Sequence, residues 1–168
     1  MNKLITMRNL LLLTIISSLF IACGDDDSGS TPGASKSKTE LLTEGKWQIT
    51  AMTIAPAVDL GGGNLVTDFY NNFLEECDRD DLLNWNADGT YAHEEGAISC
   101  DSAGTGGEVY DEGDWSFNAS ETVLTEISND GDTSTFTIVS ITSSQIVATV
   151  IEEFDTTEHT ITATLIKQ

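Results

Sequence analysis

The sequence predicts an all-β chain: an eight-stranded up-and-down antiparallel barrel with one short helix and a disordered N-terminal tether. Three observations carry this. From residue 45 onward, eight segments follow one another in which apolar and polar residues alternate with a period of two or β-branched and aromatic residues cluster. Most are joined by short turns rich in Asn, Asp, Gly and Ser, so neighbouring strands run antiparallel. Eight is also the number at which such a meander closes on itself. Closure removes exposed edges and leaves an interior either filled by side chains or able to hold one small ligand.

The first segment, residues 1–22, is not part of that barrel. Lys3 and Arg8 precede an apolar stretch from Leu10 to Ile21 with no acid in it, and the small Ala22 stands before Cys23. That order is a cleaved secretory signal. The apolar stretch is about 12 residues, short of the ~20 a spanning helix needs, and Asp25, Asp26 and Asp27 follow at once. Leu19-Phe20-Ile21-Ala22-Cys23 resembles a bacterial lipobox, with Phe20 where Leu is usual. The resemblance implies that Cys23 carries lipid and anchors the protein to a membrane, each buried methylene contributing ~0.8 kcal/mol. Residues 23–39 then read as a lipidated acidic and Ser/Gly-rich linker. Its composition buries little, and about fifteen such residues give a mean reach of about 20 Å. The acidic triplet resembles the export signal of Gram-negative lipoproteins displayed on the outer membrane. The expected domain is 40–168.

Within that domain, Trp47, Ile49 and Ala51 alternate with Lys46, Gln48 and Thr50 after Gly45, the pattern of a half-buried strand. A glycine-rich loop with Gly61-Gly62-Gly63 comes next. Val66, Phe69, Tyr70, Phe73 and Leu74 recur at helical spacing, which predicts a short helix capped by Thr67 or Asp68. Leu82–Asn86 and Thr90–Gly96 flank Asn86-Ala87-Asp88-Gly89, a hairpin turn whose Gly supplies positive φ. Trp115 and Phe117 share a face of the next strand, ending at Asn118. Further strands are expected at Thr122–Ser128, Thr135–Thr142, Gln145–Phe154 and His159–Lys167. Alternation puts Ile146, Ala148 and Val150, then Ile161, Ala163 and Leu165, inward. In 123–127 the sets Val123/Ile127 and Leu124/Glu126 compete for the inner face.

Charge and cysteines bound the partners. The chain has 28 Asp+Glu and 7 Lys+Arg, a formal −21, and the part from Cys23 onward holds all 28 acids and five bases, a formal −23. A nucleic-acid partner is excluded by repulsion. With Cys23 assigned to lipid, Cys77 and Cys100 have one pairing open to them, and in an oxidising compartment they form a disulfide expected to stabilise the fold by about 3 kcal/mol.

Three motifs in order carry a family resemblance: Gly45-Lys46-Trp47, then Trp85-Asn86-Ala87-Asp88-Gly89-Thr90-Tyr91, then Gly113-Asp114-Trp115-Ser116-Phe117. Together, with a Cys on each side of the first hairpin, they resemble the lipocalin-like domain of bacterial surface lipoproteins over about residues 40–168. The resemblance implies an eight-stranded barrel with an apolar interior and a structural role for Gly45 and Trp47, the Trp closing the barrel bottom. It implies no settled ligand. Trp115, Phe117, Phe136, Ala148 and Ala163 are the candidate ligand-contacting residues. Small Ala148 and Ala163 leave central space unless Phe136 or Phe117 fills it, so both a hollow and a filled interior satisfy the pattern.

Enzymatic activity is not expected. His93 beside Glu94 and Glu95, and His159 beside Glu158, stand on alternating strands where neighbours face apart, and both histidines are expected at the surface. No G-x-S-x-G and no P-loop occur. No metal or cofactor is expected either, since Asp78, Asp80 and Asp81, or Asp130 and Asp132, do not have EF-hand spacing. Two functions remain: an anchored module holding a small apolar ligand in its barrel, or a ligand-free surface accessory protein acting through its long loops, 55–65 and 97–110.

Overall fold

The computed structural model describes residues 35–100, 104, 106–154 and 156–168. The readings placed on residues 1–34, including the signal and the Cys23 anchor, lie outside the described residues.

Among those residues the order is α1 (Lys38–Leu42), β1 (Lys46–Asp59), β2 (Leu65–Asp68), α2 (Phe69–Phe73), β3 (Leu82–Trp85), β4 (Thr90–Glu94), β5 (Val109–Phe117), β6 (Val123–Ser128), β7 (Thr133–Ile141), β8 (Gln145–Phe154) and β9 (Thr157–Lys167). The strands β1-β3-β4-β5-β6-β7-β8-β9 are joined antiparallel in that order, and β9 returns to β1, with Trp47 opposite Lys167 and Ile54 opposite Ile161. This closed eight-stranded meander is the expected barrel. β2 is a ninth strand outside the closure, pairing with the far half of β1. The seam between β1 and β3 is narrow, with Lys46 opposite Asn84 and Trp47 opposite Leu83.

The lower end of the barrel, where β1 begins and β9 ends, is plugged. Trp47 and Leu42 are fully buried, and the Trp47 indole donates to the Leu42 carbonyl at 2.8 Å. Helix α1 holds Leu42 there. Its first turn is closed by a reciprocal cap between Ser37 and Glu40. Glu121, in the β5–β6 turn, accepts from the backbone N–H of Lys38 and Thr39, both at 3.1 Å, and from the Thr39 hydroxyl at 2.7 Å. The tether was expected to run to residue 39. Instead Lys38 and Thr39 already belong to this helix, because that anion satisfies their otherwise unpaired N–H groups.

Three further expectations need correction. The helical face drawn from Val66 to Leu74 splits: Val66 pairs with Val58 in a strand, and the helix occupies Phe69–Phe73 alone, capped by Asp68, whose side chain accepts from the Asn71 N–H. The loop expected over 55–65 is largely sheet, because β1 continues to Asp59 and turns back through Gly61-Gly62-Gly63 into β2. Neither histidine is free at the surface. His159 is buried, its Nδ1 2.8 Å from the Pro56 carbonyl oxygen and its ring edge-on to Phe154. His93 points inward beside Tyr91. Parity explains both, since His159 shares a face with Ile161 and His93 with Tyr91.

At the upper end the disulfide is formed between Cys77 and Cys100. The acidic run beside it has a structural use. Asp80 accepts from the Ala97 and Ile98 N–H groups, and Asp81 from that of Gly96. These bonds tie the β4–β5 loop to the segment before β3. Among the described residues no helix is long and apolar enough to cross a membrane.

Candidate functional site

The barrel is hollow in its middle. An apolar cavity of about 100 Å³ lies there, floored by Leu42 of the plug. Ile146, Ala148 and Val150 of β8 and Ile161, Ala163 and Leu165 of β9 form one wall, all six at positions that alternation assigned inward. Ile49, Leu83, Leu124, Phe136 and Ile138 supply much of the rest. Ala148 faces Ala163 directly across the β8–β9 ladder, so two methyl side chains meet where two larger ones would close the space.

Of the candidate contact residues, the structure places Phe136, Ala148 and Ala163 on this cavity. Trp115 and Phe117 lie outside its lining. They stack edge-to-face with ring centres 5.6 Å apart, and the Trp115 indole donates to the Asn86 carbonyl at 2.9 Å, which makes them part of the packing beside the first hairpin. That hairpin forms as expected, with Gly89 at φ 90°. Gly113, from the third motif, is required for a different reason: a Cβ there would sit 2.0 Å from the Ile127 carbonyl oxygen, so only glycine lets β5 and β6 approach this closely. A Cβ on Gly45 would meet the flexible stem of Lys167, 2.8 Å from its Cε.

The residue sequence reasoning missed is Glu126. In the competition on β6, Leu124 and Glu126 take the inner face, while Ile127 is exposed. Glu126 is 3 % exposed and lines the otherwise apolar cavity. Its Oε1 accepts from the Trp85 indole N–H at 2.6 Å. Behind it, His93 Nε2 lies 3.7 Å from the same oxygen, and His93 Nδ1 lies 3.5 Å from Asp111 Oδ2. Both distances exceed a good hydrogen bond, and Nε2 is buried with no partner among the described residues. Tyr91 donates to Asp111 Oδ2 at 3.1 Å; burial, reinforced by that carboxylate, pushes the Tyr91 phenol well above its ordinary range. A row of polar side chains thus crosses the inner face of β4, β5 and β6 from the cavity toward solvent. The signal for it was the misfit itself: an acid in register with Leu124 at a position otherwise fit for a hydrophobe.

Three comparisons bear on this architecture. A search of curated proteins returns no match. Among solved structures, the complex of bovine odorant binding protein with a selenium-containing odorant is similar at 13% identity and a TM-score of 0.43, covering 86% of this chain and 78% of that one. A likeness at that level adds nothing to the topology already described. The family model of the lipocalin-like domain matches residues 43–148, from the turn before β1 into β8, more than half of the chain. This chain belongs to the lipocalin-like domain family.

Proposed function

We propose that the protein is a membrane-anchored binding module that holds a small apolar ligand inside its barrel and carries out no chemistry on it. The observation that supports this most is the cavity: an apolar space of about 100 Å³ above a tryptophan-sealed floor. Its size suits a short branched or single-ring compound better than a long acyl chain. An engineered cavity of roughly 150 Å³ accepts benzene. A binding role also fits the lining, which offers side chains for burial and, among the described residues, no nucleophile held by a base. The anchored, outer-membrane part of the reading rests on the lipobox-like run ending at Cys23 and the three aspartates after it.

Native mass spectrometry of the full-length lipidated protein, extracted from its own membrane, tests the binding. A retained compound of low mass, lost when Ala148→Leu fills the cavity, is the expected result. If neither protein retains a small molecule and neither binds added apolar probes, the loop-mediated accessory role takes its place. Cys23→Ser should move the protein from the membrane to the soluble fraction; unchanged fractionation would remove the anchor.

A further inference from the structure

Resting on that binding reading, the wall of the cavity points to one class of ligand. We infer that the barrel selects a small hydrophobic amine, its hydrocarbon part filling the apolar space and its ammonium group seated on Glu126. Glu126 is 97 % buried by its 3 % exposure, and the cavity it lines is otherwise built mainly from hydrocarbon side chains. Its Oε1 receives the Trp85 N–H at 2.6 Å, the one hydrogen bond to this carboxylate among the described residues. A carboxylate in such surroundings is costly to bury, and a hydrophobe at this position would have been the simpler wall.

Among the described residues no lysine or arginine pairs with it. Lys46 is paired with Glu94, Lys36 and Lys167 with Glu44, and Arg79 donates to the Asn71 and Leu74 carbonyls beside the Tyr70 ring. The nearest base is His93, set between Glu126 and Asp111 and within hydrogen-bond distance of neither. Two carboxylates thus flank one imidazole, so acids outnumber bases in the group. With its proton on Nδ1, toward Asp111, the imidazole presents Nε2 as a buried acceptor that lacks a partner. One ammonium group carries three donors, and in this cavity it would meet the Glu126 carboxylate, the one charged side chain on the lining. The formal charge of −21 adds a field that draws cations and repels anions of the same size.

Calorimetric titration of the full-chain protein with 3-methylbutylamine, 3-methylbutan-1-ol and 4-methylpentanoate, three probes of similar bulk, tests this. The amine should bind at least about tenfold more tightly than the alcohol, with the carboxylate weakest. In Glu126→Gln the preference should fall below about threefold while alcohol affinity holds. Should that variant fail to fold, the wild type still decides: at equal occupancy the Trp85 indole N–H resonance should shift further with the amine than with the alcohol. Equal affinity for amine and alcohol, a preference that survives Glu126→Gln, or an indole shift no larger with the amine than with the alcohol would overturn the amine and leave an apolar binder. Failure of all three probes to bind would overturn the binding reading as well.

Discussion

Trp47 and Trp85 each bury an indole inside the same barrel, and they differ in what receives the N–H. Trp47 donates to the Leu42 backbone carbonyl at the sealed lower end, an acceptor that the end of helix α1 leaves unpaired in any case. Trp85 donates to the Glu126 side chain on the cavity wall. The first contact satisfies two groups and is complete. The second satisfies one indole by burying a side-chain carboxylate on an apolar wall. The lower end is therefore built for stability alone, whereas the wall keeps a polar group that packing does not need. Trp115, bonded to the Asn86 carbonyl, follows the pattern of Trp47.

The largest effect should come from the plug. Trp47→Ala removes a fully buried indole and strands the Leu42 carbonyl, and should cost about 3–5 kcal/mol in urea denaturation. Next, replacing Cys77 and Cys100 together by Ser should cost about 3 kcal/mol, because the crosslink closes a separation of 23 residues. The same measurement should give a smaller loss, about 1–3 kcal/mol, for Trp85→Phe, which keeps most of the bulk and leaves Glu126 without its donor. Adding Glu126→Leu to Trp85→Phe should restore part of that loss, since both members of a buried polar pair are then gone. A Trp85→Phe variant as unstable as Trp47→Ala, or a double variant weaker than the single one, would break the contrast between plug and wall.

The smallest effect is local and depends on pH. Glu121, held below its usual range chiefly by the Thr39 hydroxyl, Glu44, by Lys36 and then Lys167, and Glu40, by the Ser37 N–H, all lie in α1 or beside it. Their folded-state values are depressed, so the ionised forms favour docking of α1. That contribution is complete above the ordinary value of 4.5 and fades as pH falls below it. Amide-exchange protection factors in Lys38–Leu42 should fall between about pH 5 and pH 3 before those of the barrel strands, and Glu121→Gln should lower them at neutral pH.

How much of this was legible follows the same divide. The wall formed by Ile146, Ala148 and Val150 against Ile161, Ala163 and Leu165 could be read because every second residue is apolar through 146–150 and 161–165. The Asn86–Gly89 hairpin could be read because its chemistry is local. Glu126 could not, because period-two reasoning treats an acid as an outward residue, and on a six-residue strand one misplaced residue makes both faces equally plausible. His159 was available from parity with Ile161 and was obscured by its polar type alone. Helix α1 left a signal in Ser37-Lys38-Thr39-Glu40, a capping box inside a stretch whose composition reads as tether. β2 left less, since Val66 also fits the helical spacing of Phe69, Tyr70 and Phe73, and only its pairing with Val58 decides.

The most direct measurement is a methyl NMR spectrum of the folded protein under xenon pressure, since xenon enters dry apolar cavities of this size. The methyl groups of Ile138, Ile146, Ile161 and Leu165 should shift together with saturating dependence on pressure, and Ala148→Leu should abolish the response. Shifts confined to exposed methyls such as those of Val139 and Ile151, with the interior unmoved, would contradict a hollow barrel and with it a ligand held inside.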